Sequence, residues 1–233
     1  MKLRHALLSL ALAALALPAQ AADASTAQNS AKTIAALKTR IAALRLEVAR
    51  AKAYDQVENL FDIFGYYVDK NQFAQEADLW ARKGTMEMAQ RGVYVGQDSV
   101  RRFHAADREG PNVNRLLDHP MLGQVIHVSP DGKSAKVRAR MWQMMGGPGA
   151  RATLGGGVYE NEAILEDGVW KIQSEHTYNT YVAGYDGGPA TSSPTMLGPN
   201  PNVPPDLPTT VKFEGFPKVY DIPIHYKNPV SGR

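Results

Sequence analysis

The pair Asp167-Gly168 constrains this chain more than any other two residues, because it separates two segments of alternating polarity, GGGVYENEAILE and VWKIQSEHTY. A two-residue hairpin turn of type I′ needs positive φ at both central positions, and Asp-Gly is one of the few pairs that accept it. Counting outward from that turn pairs Leu165 with Trp170, Ala163 with Ile172, Asn161 with Ser174 and Tyr159 with His176, all on one face. The other face carries Glu166, Ile164 with Lys171, Glu162 with Gln173, and Glu160 with Glu175. One face therefore runs from apolar near the turn to polar and uncharged further away, the pattern of a core that opens into a pocket. A one-residue slip of register would exchange the faces and bring Glu160, Glu162 and Glu175 inward.

The 233 residues suffice for one sizeable domain with extensions. Residues 1–21 have the form of an export signal: Lys2, Arg4 and His5, then an apolar run from Ala6 to Leu17, then the small-residue site Ala19-Gln20-Ala21. The expected location is periplasmic or secreted, with no membrane partner once the signal is removed. Without Lys2 and Arg4 the net charge of +3 falls to +1, with 24 basic against 23 acidic residues. Such a balance gives no reason to invoke nucleic acid. The absence of Cys excludes disulfides, thiolate chemistry and Cys-based zinc sites.

Residues 22–50 form an N-terminal extension in which Ile34, Leu37, Ile41, Leu44 and Val48 follow the spacing of a coiled-coil seam. This predicts a helix that either docks on its own domain or pairs two subunits. Val57, Leu60, Phe61, Phe64 and Tyr67 continue a helical pattern to the turn residues Asp69-Lys70-Asn71. A short helix through Phe73 to Trp80, a brief strand at Thr85 to Met88, and a helix capped by Asp98 or Ser99 and ending near His104 are expected next, followed by a loop over residues 106–118. Two strands, His119 to Ser129 and Ser134 to Met145, precede the hairpin. Residues 187–233 are rich in Pro, yet Ile222 to Val230 is too aromatic and apolar for a linker, so this extension is expected to wrap the domain or a neighbouring subunit.

Helices followed by long antiparallel strands define an α+β plan with a curved sheet over the helices. The segments FGYYVDKNQFAQEADLW, RGVYVGQDSVRRF and GGGVYENEAILEDGVWKI resemble the SnoaL-like proteins of the nuclear-transport-factor-2-like superfamily, which includes polyketide cyclases, scytalone dehydratase and ketosteroid isomerase. The resemblance covers roughly residues 50–185 and implies a cone-shaped α+β barrel, here residues 51–186, with an internal pocket and metal-free, cofactor-independent acid/base chemistry. It also implies frequent dimerisation through the outer sheet face, and a homo-oligomer, dimer or trimer, is expected. By position, Asp69 is similar to the dehydratase aspartate that orients a catalytic His, and His119 is similar to one of its pocket histidines. The place of that enzyme's substrate-gripping Tyr is taken by Met88. Relatives include lyases that process lignin-derived diaryl compounds.

The candidate catalytic residues are therefore His176, Asp69, His119 and Tyr159. His176 is expected to face inward opposite Tyr159, where a neutral imidazole suits proton transfer, although a core His satisfied by Tyr159 explains the same pattern. Asp69 would hold the His119 imidazole in one tautomer. Tyr66, Tyr67, Tyr94, Asn161, Met141 and Trp142 are the candidate substrate-binding residues, the last two as part of a polarizable wall for an aromatic ring. His104 is explained by a helix-dipole contact, and no His and carboxylate spacing suggests a metal site. The expected function is a lyase, dehydratase or isomerase acting on a small aromatic or polycyclic molecule. The alternative is a non-catalytic binding or assembly module.

Overall fold

The computed structural model describes the backbone of residues 6–104, 109–191 and 198–233 and the side chains of residues 25–104, 109–190 and 198–233. The chain divides into two compact units, residues 1–49 and residues 50–233. The side chains of the expected export signal, residues 1–21, lie outside the described residues.

Helix α1 (Ala6–Asp69) supplies the first unit and opens the second. In the first unit Ile34, Leu37, Ile41, Leu44 and Val48 are between 41% and 57% exposed. In the second unit Ala53, Val57, Leu60, Phe61, Phe64 and Val68 recur at helical spacing and are buried. Each fully buried side chain of this size contributes roughly 1.5–3 kcal/mol, so this stripe holds the helix to the sheet. Phe64 is its centre, edge-on to both Trp80 at 5.7 Å and Tyr159 at 6.3 Å.

The remaining elements are α2 (Phe73–Ala77), β1 (Trp80–Met88), β2 (Val93–Val95), α3 (Gln97–Phe103), β3 (Leu116–Asp118), β4 (Met121–Val128), β5 (Ser134–Gly147), β6 (Ala150–Glu166), β7 (Val169–Gly184) and α4 (Gly188–Thr191). The strands form one sheet in the order β2-β1-β7-β6-β5-β3, with β4 also pairing β5. Among the described residues only β1 and β7 run parallel. The helices pack into the concave face of this curved sheet, which is the α+β cone.

Several local expectations are corrected. Trp80 opens β1 instead of closing a helix, because its indole is fully buried and donates to the Thr85 carbonyl. Helix α3 starts after Gly96, whose φ of 80° suits glycine, and has no side-chain cap. Part of the supposed loop, Leu116–Asp118, pairs with β5 as β3, while residues 105–108 lie outside the described residues.

The decisive correction concerns the hairpin. Asp167 and Gly168 both have positive φ, 53° and 81°, and Leu165 pairs with Trp170 and Ala163 with Ile172 as the turn dictates. Beyond Ile172 the register shifts: Glu162 pairs with Ser174 and Tyr159 with Thr177. Gln173 is the extra residue of a β-bulge, and a single inserted residue moves everything beyond it to the opposite face. Glu175 and Thr177 consequently face inward beside Tyr159, each 1% exposed, and His176 faces outward. Asn161 steadies the bulge, its Oδ1 accepting the His176 backbone N–H at 3.1 Å.

The C-terminal extension folds over its own domain. The Tyr94 hydroxyl donates to the Val203 carbonyl at 2.6 Å, Val93 bridges Leu207, and the Glu87 carboxylate accepts from the hydroxyls of Thr209 and Thr210 and the Thr210 amide. Further on, Phe213 packs against Tyr178, and His225 reaches Glu160 on the outer sheet face at 3.0 Å.

Candidate active site

A cavity of about 360 Å³ lies between the helices and the inner sheet face. Its walls are apolar and polarizable, with Phe73, Phe103, Met88, Met141 and Met145 among them, and its described polar groups are His104, His119, Tyr159, Thr177, Asn179, Asn200, Gln143, Arg91 and Arg115. Apolar, aromatic walls with polar groups converging between them are characteristic of small-molecule sites. A more open cleft of about 600 Å³ lies under the tail on the outer face, lined by Glu87, Glu160, His176, Tyr178 and His225. There the carboxylates are already engaged, Glu87 by Thr209 and Thr210 and Glu160 by Arg138 and His225. The inner cavity is therefore the better candidate.

Two polar pairs meet on it. In the first, His119 Nε2 and the Tyr159 hydroxyl are 2.8 Å apart. Burial pushes the His119 imidazole down to about 4, so it is neutral at pH 7, and burial also raises the Tyr159 phenol well above its ordinary value, so it keeps its proton. In the second, Glu76 of α2 places Oε1 3.3 Å from Nε2 of His104 at the end of α3. The His104 ring stacks on Phe73, centroids 4.1 Å apart, and meets Phe103 edge-on. Glu76 is 1% exposed, so a buried carboxyl group lies beside a buried imidazole that faces the cavity.

Behind Tyr159 and Thr177 lies Glu175. It accepts the Thr177 hydroxyl through Oε1, its Oε2 has no hydrogen-bond partner, and burial, with Glu76 nearby, raises it to about 8. Glu175 is therefore a protonated carboxylic acid at neutral pH.

The residues expected from the sequence distribute unevenly. Tyr159, His119 and Met141 line the cavity. Asp69 is adjacent but holds the backbone, its Oδ1 accepting the His119 N–H at 2.7 Å, and it makes no hydrogen bond to the imidazole. His176 stacks on Tyr178 on the outer face, 4.0 Å between centroids, with its Nδ1 3.8 Å from Glu87. Burial lowers its pKa against the pull of Glu87. Tyr66 is 73% exposed and Trp142 40% exposed, because both point away from the concave face. Tyr67 is half-buried at the end of α1 and does not line the cavity. Tyr94 is an anchor for the tail and Asn161 a brace for the bulge. Sequence reasoning missed Glu76, Glu175, Thr177 and Arg91, and it explained His104 by the helix alone. The signal for Glu175 was the one-residue slip of register that would bring it inward, which the bulge at Gln173 supplies, and nothing local linked Glu76 to His104.

A family model described as a SnoaL-like domain matches residues 49–176, more than half of the chain. The chain belongs to the SnoaL-like family. Solved structures agree at the level of fold. A protein of Novosphingobium aromaticivorans DSM 12444 provisionally assigned as a scytalone dehydratase is 16% identical, with a TM-score of 0.54 over 66% of this chain and 97% of that one. LinA is 18% identical, with a TM-score of 0.52 over 60% of this chain and 95% of its own. Hexachlorocyclohexane dehydrochlorinase LinA-type3 from Novosphingobium barchaimii LL02 is 19% identical, with a TM-score of 0.51 over 60% and 95%. No curated protein matches the sequence. In this SnoaL-like chain the family match ends at His176, within β7.

Proposed function

We propose that this SnoaL-like protein is a cofactor-independent acid/base lyase, with isomerase chemistry as the second possibility, acting on a small aromatic molecule held in the inner cavity. The observation that carries this reading is the convergence of Glu76–His104 and His119–Tyr159 on one aromatic-walled space. His104, oriented by the Glu76 carboxylate, is the base that removes a proton from carbon. Tyr159, kept protonated by burial, donates to the oxygen on which negative charge develops, or protonates it as it leaves. Neutral His119 buttresses the phenol without placing a cation beside it. A positioned base contributes roughly 10²–10⁴ in rate and one oxyanion donor roughly 10²–10³, which is the scale such a site can supply. Dehydratase and carbon–carbon lyase chemistry both fit, and lignin-derived diaryl compounds belong among the substrates to be screened. The leader in the sequence supports an exported enzyme. The exposed heptad stripe of residues 34–48 favours a second reading, a non-catalytic assembly module in which the cavity only binds.

The test is a screen of aromatic metabolites with mass analysis of the products, which separates loss of water from loss of a carbon fragment. Conversion by the wild type that disappears in both His104→Gln and Tyr159→Phe supports the enzyme. Full turnover in both variants would overturn the assignment.

A further inference from the structure

Arg91 differs from the other arginines whose side chains are held in this domain. Arg82, Arg101, Arg102 and Arg138 are each ion-paired, with Glu166 and Asp167, Asp78 and Asp98, Asp206, and Glu160 respectively. Arg91 lines the inner cavity, yet its buried Nε has no hydrogen-bond partner and no carboxylate among the described residues pairs with its guanidinium. None of the described residues lining the cavity is acidic. A buried donor left unmade costs roughly 1–3 kcal/mol, more when it is charged, so such a group is retained where something else supplies the acceptor.

The position is built. Arg91 sits in the turn between β1 and β2, closed by its own N–H to the Met88 carbonyl at 3.1 Å. The next residue, Gly92, has a φ of 96°, and a Cβ there would lie 2.6 Å from Pro205 Cγ, so the C-terminal extension presses directly on this turn. The guanidinium carbon lies 5.5 Å from the centre of the Phe103 ring, whose face holds the planar cation. A guanidinium offers a fork of parallel N–H donors that matches a carboxylate, and Met88, Met145, Phe73 and Phe103 surround the same space with polarizable surface.

We infer that the substrate of this cavity is an aromatic carboxylate, its anionic group bound by Arg91 and its ring lying between the methionines and phenylalanines. The inference rests on the inner cavity being the functional site and extends that reading by naming the charge of the substrate. Arg91 is then a binding and specificity-determining residue: it fixes one end of the molecule and leaves the other to His104 and Tyr159.

The experiment compares benzoate with its neutral counterpart benzamide by calorimetric titration of the full-length protein at pH 7. The expected result is at least tenfold tighter binding of benzoate in the wild type. Arg91→Gln should lose that preference, and Arg91→Lys, which keeps charge without the fork, should retain part of it. The control Arg101→Gln, at an exposed ion pair, should change nothing. His104→Gln and Tyr159→Phe should keep the benzoate preference whatever happens to turnover, so a failure of the acid/base reading is seen separately. Benzamide binding as tightly as benzoate, no benzoate binding at all, or an undiminished preference in folded Arg91→Gln would overturn the inference.

Discussion

Glu76 Oε1 and His104 Nε2 approach to 3.3 Å inside the domain, bringing a carboxylate of α2 to an imidazole at the end of α3. The pairing keeps one imidazole nitrogen next to negative charge and stacks the ring on Phe73. His104→Gln is expected to lower turnover by roughly 10²–10⁴ while leaving the fold intact. Glu76→Gln, which preserves shape and removes charge, is expected to lower it on the order of 10². Product formation followed by mass, with circular dichroism as the control for folding, checks both.

The protonated Glu175 imposes a pH dependence on stability. Its folded-state pKa of about 8 exceeds the ordinary 4.5, so between these values the folded state holds a proton that the unfolded state has released. The stability associated with this group is fully present below about pH 4.5 and is lost as pH rises toward 8, at up to about 1.4 kcal/mol per pH unit. Glu175→Gln carries no such proton. Urea unfolding at pH 5, 6.5 and 8 should show the variant gaining on the wild type at each step, and parallel curves would count against a protonated Glu175.

Gln173 matters for its presence in the strand more than for its side chain. Gln173→Ala should stay within about 0.5 kcal/mol of the wild type. Deleting Gln173 removes the bulge, turns His176 toward Tyr159 and expels Glu175 and Thr177 to the outer face. That deletion should cost more than about 3 kcal/mol or abolish folding, because the far half of β7 would present the wrong face to the core. Thermal unfolding of the two proteins distinguishes these outcomes.

Glu87 ties the C-terminal extension to β1 by accepting from Thr209 and from both donors of Thr210. Glu87→Ala leaves those donors without their acceptor and is expected to cost about 1–3 kcal/mol. Trypsin should then cut faster after the exposed Lys212 and Lys218, with the domain itself still protected. Equal cleavage rates in the two proteins would show that the extension is held mainly by its apolar contacts.

Asp69 holds a backbone amide, and an amide side chain can do the same. Asp69→Asn keeps an oxygen for the His119 N–H and should retain turnover to within about tenfold, whereas Asp69→Ala frees that amide and should lose more. A loss in Asp69→Asn as large as that in His104→Gln would instead assign the carboxylate charge a chemical role.

Much of the fold was legible in the order of residues. The positive-φ pair Asp167-Gly168 determined the turn of the long hairpin, helical spacing from Val57 to Phe64 determined the buried stripe of α1, and the combined segments pointed to the SnoaL-like family. These features were readable because each rests on neighbours within a few positions, where backbone sterics and periodicity act. The inward direction of Tyr159, close to Leu165 and Trp170 in the same reasoning, was legible as well. What only the tertiary structure decided lies beyond that range. The bulge at Gln173 depends on how β7 meets both β6 and β1, and it exchanged His176 for Glu175 at the inner face. The Glu76–His104 pair and the unpaired Arg91 exist only because α2, α3 and the β1–β2 turn close over one cavity, where burial rather than sequence distance sets which charges meet.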